Sequence, residues 1–208
     1  MQPNKTKLAL QIGAVVLGAL CASNSYADPF QAQVSTLDDV SILTVTALDF
    51  GENITTTASG ECTMDADQPA NTDVLTDANV TATTYGVLTG TNCVGGGAAI
   101  GTPGVYSVTG IGGLDVNLTV TTLTQSDDFT FAPQGCGVVH DNAGTDGDVC
   151  NAYTLGAPLT MTLANATDNG ASSANLAHFT VGGTITVGAT GLSSDTNYPV
   201  TFNVDVVY

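Results

Sequence analysis

Between residues 141 and 148 the sequence reads DNAGTDGD, its densest acidic stretch, with Cys136 and Cys150 standing on either side. Asp141, Asn142, Asp146 and Asp148, together with backbone carbonyls, could supply oxygen ligands to calcium, a hard cation that takes about six to eight of them. The spacing is not that of an EF-hand loop, and no Glu follows at the distance a bidentate ligand would need. Asp and Asn beside Gly are also ordinary turn residues, so a solvated turn is the first expectation here and a calcium site the alternative. Asp65 and Asp67 in TMDADQPANTD are read the same way.

Other chemistry is thinly represented. His140 borders the acidic loop and His178 opens the segment HFTVGG, where a solvent-facing or partly buried strand residue is expected. One His with carboxylates does not define a catalytic zinc site. There is no G-x-S-x-G elbow. Glu occurs only at positions 52 and 61, and Trp is absent. An enzyme is therefore not expected.

Cys62, Cys93, Cys136 and Cys150 form an even set without C-x-x-C or H-x-x-x-H spacing, which points to structural disulfides rather than zinc. Of the three possible connectivities we take neighbour pairing, Cys62 with Cys93 and Cys136 with Cys150. By loop entropy these crosslinks would stabilise by roughly 3.5 and roughly 3 kcal/mol.

The compartment this requires is written at the start of the chain. Lys5 and Lys7 precede an apolar run from Leu8 to Leu20 that is too short to span a bilayer, and Ser25-Tyr26-Ala27 has the small-x-small pattern of a signal-peptidase site. Residues 1–27 are thus expected to be a cleaved export signal, leaving a secreted or cell-surface protein that begins at Asp28. Cys21 follows Leu20, where lipoprotein processing needs a small side chain. Both basic residues lie in the signal, so residues 28–208 hold all 19 acidic residues and no Lys or Arg. Such a chain cannot neutralise phosphates and is repelled by anionic headgroups, which argues against nucleic-acid or anionic-membrane partners.

The elements that must position these residues are strands. Short alternating Thr- and Val-rich segments are separated by Gly, Asn, Asp and Pro, and none shows sustained helical periodicity. Nine strands are expected: 40–50, 53–64, 79–88, 105–109, 116–123, 129–131, 153–163, 177–187 and 198–208. In YPVTFNVDVVY, Val200, Phe202, Val204, Val206 and Tyr208 share one face while Thr201, Asn203 and Asp205 share the other. The fold expected is all-β, an immunoglobulin-like antiparallel β-sandwich with Gly/Asp-rich loops and two disulfides. Residues 40–208 form its single domain, preceded by an extension, 28–39.

Three stretches carry a resemblance: LDFGENI at 48–54, FTVGGTITVGA at 179–189, and NYPVTFNVDVVY at 197–208. They resemble a family of exported bacterial proteins catalogued as domain-of-unknown-function family 4402. In that family an L-x-F-G-x-I strand end opens the domain, and V-G-G-T-[IL]-x-V followed by Y-x-x-T-F-x-V-x-V-x-Y closes it. APLTMTLAN at 157–165 is similar to the strand that precedes the closing motifs. The middle of the chain, with both cysteine pairs and the acidic loop, has no counterpart in the resemblance. More loosely, the strand patterning and closing tyrosine strand are similar to subunits of chaperone-usher surface fibres, whose sandwiches lack one strand and receive it from the next subunit.

That likeness implies a donor and an acceptor. PFQAQVST at 29–36 alternates, with Phe30, Ala32 and Val34 as candidate plugs and Leu37-Asp38-Asp39 as a short hinge. The strand carrying Val200, Phe202, Val204, Val206 and Tyr208 would form one side of the acceptor groove. The function expected is a structural or adhesive surface protein, a pilus or fibre subunit whose partners are copies of itself or other fibre subunits. The alternative is a monomeric binding module with calcium-stabilised acidic loops.

Overall fold

The computed structural model describes residues 40–67, 85–94, 100–139, 149–165 and 174–208, all within a compact unit, Leu37–Tyr208. Within these residues the chain is an antiparallel β-sandwich of two sheets, held by two disulfides. The expected donor residues Phe30, Ala32 and Val34, and the loop residues His140, Asp141, Asn142, Asp146 and Asp148, lie outside the described residues, as does most of the strand expected at 79–88.

The large sheet is organised on β10 (Leu176–Val187). Along one edge of β10 lie β4 (Gly104–Thr109), opposite residues 176–181, and then β2 (Glu61–Met64), opposite residues 183–186. The other edge pairs with β7 (Cys136–Val139) and β6 (Phe129–Gln134). Three short strands complete the sheet: β1 (Ser41–Thr46) outside β4, β3 (Leu88–Thr89) outside β2, and β8 (Val149–Ala152) outside β7. The VGGT motif explains how one strand serves so many partners. A side chain on Gly182 would strike the Met64 carbonyl and Ala66, and one on Gly183, at φ 131°, would overlap the Ala132 carbonyl.

The second sheet has three strands in the order β11 (Phe202–Val207), β5 (Asp115–Thr122), β9 (Leu159–Thr162). In β5 the alternation expected from sequence is plain: Val116, Leu118 and Val120 are fully buried while Asn117, Thr119 and Thr121 are half-buried. Burying each such side chain contributes about 1.5–3 kcal/mol. Between the sheets, Tyr106 stacks on Phe179 (5.0 Å) and meets Phe202 edge-on (6.1 Å), which sets β11 over β4. A side chain at Gly137 would strike Met161 and Leu159, so β9 lies over β7.

Several expected strands change length. The expected 53–64 strand shrinks to β2 because Ser59 takes a positive φ of 61° and the Thr57 carbonyl is taken by the Asn92 side chain. The expected 153–163 strand shrinks to β9 because a turn intervenes at Gly156, φ 75°. Conversely, the strand expected at 129–131 runs on to Gln134, and β7 and β8 form a pair that the sequence pattern did not announce.

Cys62 is bonded to Cys93 (Cα–Cα 5.0 Å) and Cys136 to Cys150 (Cα–Cα 5.3 Å). The first bridge ties β2 to the loop after β3. The second joins β7 to β8 and closes the base of the acidic loop. Crosslinks of this kind belong to an oxidising environment. His178 is not solvent-facing: it is 3% exposed near the start of β10, opposite Ser107 on one side and Val138 on the other.

Candidate functional site

The feature that sets this sandwich apart is the edge of β11. Among the described residues β11 pairs with β5 alone, in an unbroken register from Phe202 opposite Thr122 to Val207 opposite Asn117. Its side chains alternate as the sequence reading requires. Phe202, Val204 and Val206 are half-buried against the core, as is Val200 before them, while Thr201, Asn203 and Asp205 are exposed. Half-burial is the telling quantity, since the equivalent positions of β5 are fully covered.

Which backbone groups face outward follows from the bonds of β5. On the β9 side, Leu163 N–H donates to the Leu114 carbonyl and Gly156 N–H to the Val120 carbonyl, each at 2.9 Å. Backbone groups in a strand alternate in direction, so even-numbered residues of β5 bond toward β9 and odd-numbered ones toward β11. The odd ones stand opposite Asn203, Asp205 and Val207. Phe202, Val204 and Val206 are therefore left with N–H and C=O groups pointing away from the sheet. Thr201 fits this phase: the Gln125 side chain, anchored on the Leu123 carbonyl (2.8 Å), accepts from Thr201 N–H (3.0 Å) and hydroxyl (3.1 Å) and donates to its carbonyl (2.8 Å). Among the described residues, the same three have no backbone partner on their outward side, and their side chains are incompletely covered inward.

Both ends of the strand are tied down. Gln125, 9% exposed, holds its beginning. At its other end the Tyr208 hydroxyl accepts Ile111 N–H at 2.7 Å, in the turn that leads from β4 to β5. Gly110 leaves the space for that hydroxyl, since a side chain there would collide with it.

The facing wall is β1. Ile42 stands opposite Val108, a core residue, and so points inward, yet it is 41% exposed. Leu43 on the other face is 65% exposed, and Val45, at the irregularity between Thr44 and Thr46, is 53% exposed. With β11 over β4 and β9 over β7, no described strand of the smaller sheet lies over β1. Among the described residues, the apolar Ile42 and the outer edge of β11 therefore lie side by side with no strand between them. Unpaired edges with apolar side chains are sites where another strand adds.

The remaining polar groups are scattered. Among the described residues no set of three His, Cys, Asp or Glu side chains is placed to hold a metal ion. Tyr153 is buried, and its hydroxyl has no hydrogen-bond partner among the described residues. Burial, then the charge of Asp67 and the proximity of Tyr106, push its ionisation far above the usual tyrosine range, so it stays a neutral core group. Sequence reasoning placed the β11 residues correctly on one face but missed Gln125 and the exposure of Ile42, Leu43 and Val45. SILTVTALDF did show apolar residues on both faces of β1, and that was the available signal.

No family model, no curated protein and no solved structure matches the chain.

Proposed function

We propose that this is an exported structural subunit of a surface fibre, non-enzymatic, and assembled by the addition of an extended segment to the open edge of β11. One observation carries the reading: Phe202, Val204 and Val206 combine outward backbone groups with half-buried apolar side chains, beside an uncovered Ile42. The export signal expected at residues 1–27, the two disulfides and the resemblance to family 4402 support it. An added strand would satisfy the outward N–H and C=O groups and close the core, with apolar burial as the driving term.

The test is to delete residues 28–36 from the exported chain and follow assembly on a denaturing gel with and without boiling. A high-mass ladder that boiling converts to monomer is expected for the intact chain, and monomer alone for the deletion. Equal assembly of both chains would sink the reading.

A further inference from the structure

The face of the large sheet that points away from β11 carries a recess of its own. Met64, Leu88 and Ile185 enter the core, so by alternation Thr63, Thr89 and Thr184 point outward, and these three stand opposite one another in turn on β2, β3 and β10. β6 alternates likewise, with Phe129, Phe131 and Pro133 buried and Thr130 and Gln134 exposed. Gln134, its last residue, stands opposite Gly182 of β10. Thr63, Asp65, Val87, Thr89 and Gln134 line a recess of about 220 Å³ on this outer face.

Its rim is held by the backbone. Asp65 N–H donates to the Val87 carbonyl at 3.3 Å, and the Asp65 carbonyl accepts Gly86 N–H at 2.7 Å. One carboxylate oxygen of Asp65 accepts Asp67 N–H at 2.9 Å. Because Gly182 has no side chain, Ala66 can cross over β10 there, and the Thr180 hydroxyl fixes the crossing by donating to the Ala66 carbonyl at 2.7 Å. The Thr63 hydroxyl is engaged with that of Thr184 at 2.8 Å. Among the described residues, the Thr89 hydroxyl, the Gln134 carboxamide and the second Asp65 oxygen make no hydrogen bond. Three groups with bonding capacity to spare thus line one recess, with the half-buried Val87 beside them.

These groups select a ligand by what they can exchange. An anion is repelled, since Asp65 stands in the recess and residues 28–208 hold no Lys or Arg. A hard cation such as calcium takes about six to eight oxygens, and a single carboxylate with two hydroxyls and a carboxamide is too sparse a set. An organic ammonium only donates, so the Gln134 amide protons would find no acceptor on it. A ring with neighbouring hydroxyls answers all three groups: it donates to Asp65, accepts from Gln134 and exchanges with Thr89, while its C–H face rests on Val87. The volume lies below the roughly 300–1,000 Å³ of clefts that enclose drug-sized ligands, which suits one such ring. We infer that this recess binds a single neutral sugar unit through Asp65, Thr89 and Gln134, with Val87 against its C–H face. The site does not involve β11 and stands or falls apart from the fibre reading. Three hydrogen bonds of modest net worth at an open surface correspond to a dissociation constant of about 1 mM.

Amide and methyl NMR of the full mature chain, titrated with the methyl glycosides of glucose, galactose, mannose and N-acetylglucosamine, tests this. At least one of the four should give saturable shifts confined to Val87, Thr89, Gln134 and their neighbours. Gln134→Ala and Thr89→Val, both at exposed positions, should each weaken that binding by about fivefold, the loss of one hydrogen bond. Asp65→Asn should weaken it at least as much, and Asp205→Asn, on the exposed face of β11, should leave it unchanged. Should Asp65→Asn disturb the turn at 65–67, the two variants at exposed positions decide by themselves. Glucosamine binding more tightly than methyl glucoside would overturn the neutral ligand in favour of a cation. Glucuronate binding as well as methyl glucoside would overturn the part given to Asp65. No saturable shift with any of the four glycosides, shifts spread over the whole domain, or undiminished binding by both Gln134→Ala and Thr89→Val would overturn the inference.

Discussion

The Tyr208 hydroxyl accepts the Ile111 amide proton at 2.7 Å, tying the far end of β11 to the turn that carries the chain from one sheet to the other. An edge strand bonded along one side frays from its ends. This bond, with Gln125 at the opposite end, ties down both ends of β11, whose outer edge has no strand partner among the described residues.

Tyr208→Phe removes the acceptor and leaves the ring. It should cost about 1 kcal/mol in chemical denaturation, the usual net value of one hydrogen bond. Hydrogen exchange at Ile111 should quicken with it. Gly110→Ala should produce the same loss by displacing the ring, and the double variant should lose no more than the larger single one.

Gln125→Ala should be more damaging, at about 2 kcal/mol, because it leaves the Thr201 amide and two carbonyls without partners in a half-buried place. Gln125→Glu should be no better, since a carboxylate cannot donate to the Leu123 and Thr201 carbonyls. Amide exchange at Thr201 and Phe202 would check both. Unchanged protection there would show that Gln125 does not hold the strand.

Asp67 titrates above the usual carboxylate range, first because of burial and then because of Asp65. A carboxyl whose folded pKa is raised favours the folded state below its unfolded pKa and loses that contribution as pH rises through the folded value. Asp67→Asn should therefore stabilise the protein at neutral pH, and the gain should vanish below about pH 3. Thermal melts across that range decide it. A variant less stable than the parent at pH 7 would contradict the sign.

Asp128 behaves in the opposite sense. It accepts from the Thr190 hydroxyl and from Thr190 N–H (2.7 Å), and these bonds, the hydroxyl first, hold its carboxyl below the usual range. Its contribution is present above the unfolded pKa and is lost as pH falls through the folded one. Asp128→Asn should thus weaken the turn after β10 at neutral pH. The gap to the parent should close as pH drops below about 4. A gap that persists into acid would show that the carboxylate's charge is not what the turn uses.

What the sequence disclosed was what period-two patterning and cysteine spacing can carry. YPVTFNVDVVY alternates without interruption, so its two faces were legible, and they are the faces the structure gives β11. The pairing of Cys62 with Cys93 and of Cys136 with Cys150 was one choice among three, and the structure has those bonds. β7 and β8 escaped because CGVV and VCNA are four residues long and hold no alternation. A disulfide and the partnership with β10 make them strands. Gln125 escaped for another reason. It sits in TQSDD, a polar run that reads as a loop, and only the third dimension shows its carboxamide standing where a strand residue would be. The openness of the β11 edge is a property of neighbours, which alternation alone cannot report.

The dependence of the large sheet on β10 carries a consequence for how the protein is made. β2, β4, β6 and β7 all come earlier in the chain, and each takes β10 as its neighbour. Until residues 176–187 exist, those four strands lack the neighbour they share, and the contacts that join them through β10 span a long stretch of sequence. Chains dominated by such distant pairings fold slowly. The large sheet can therefore close only once residues 176–187 have been added, so its assembly waits on a strand that comes late in the chain.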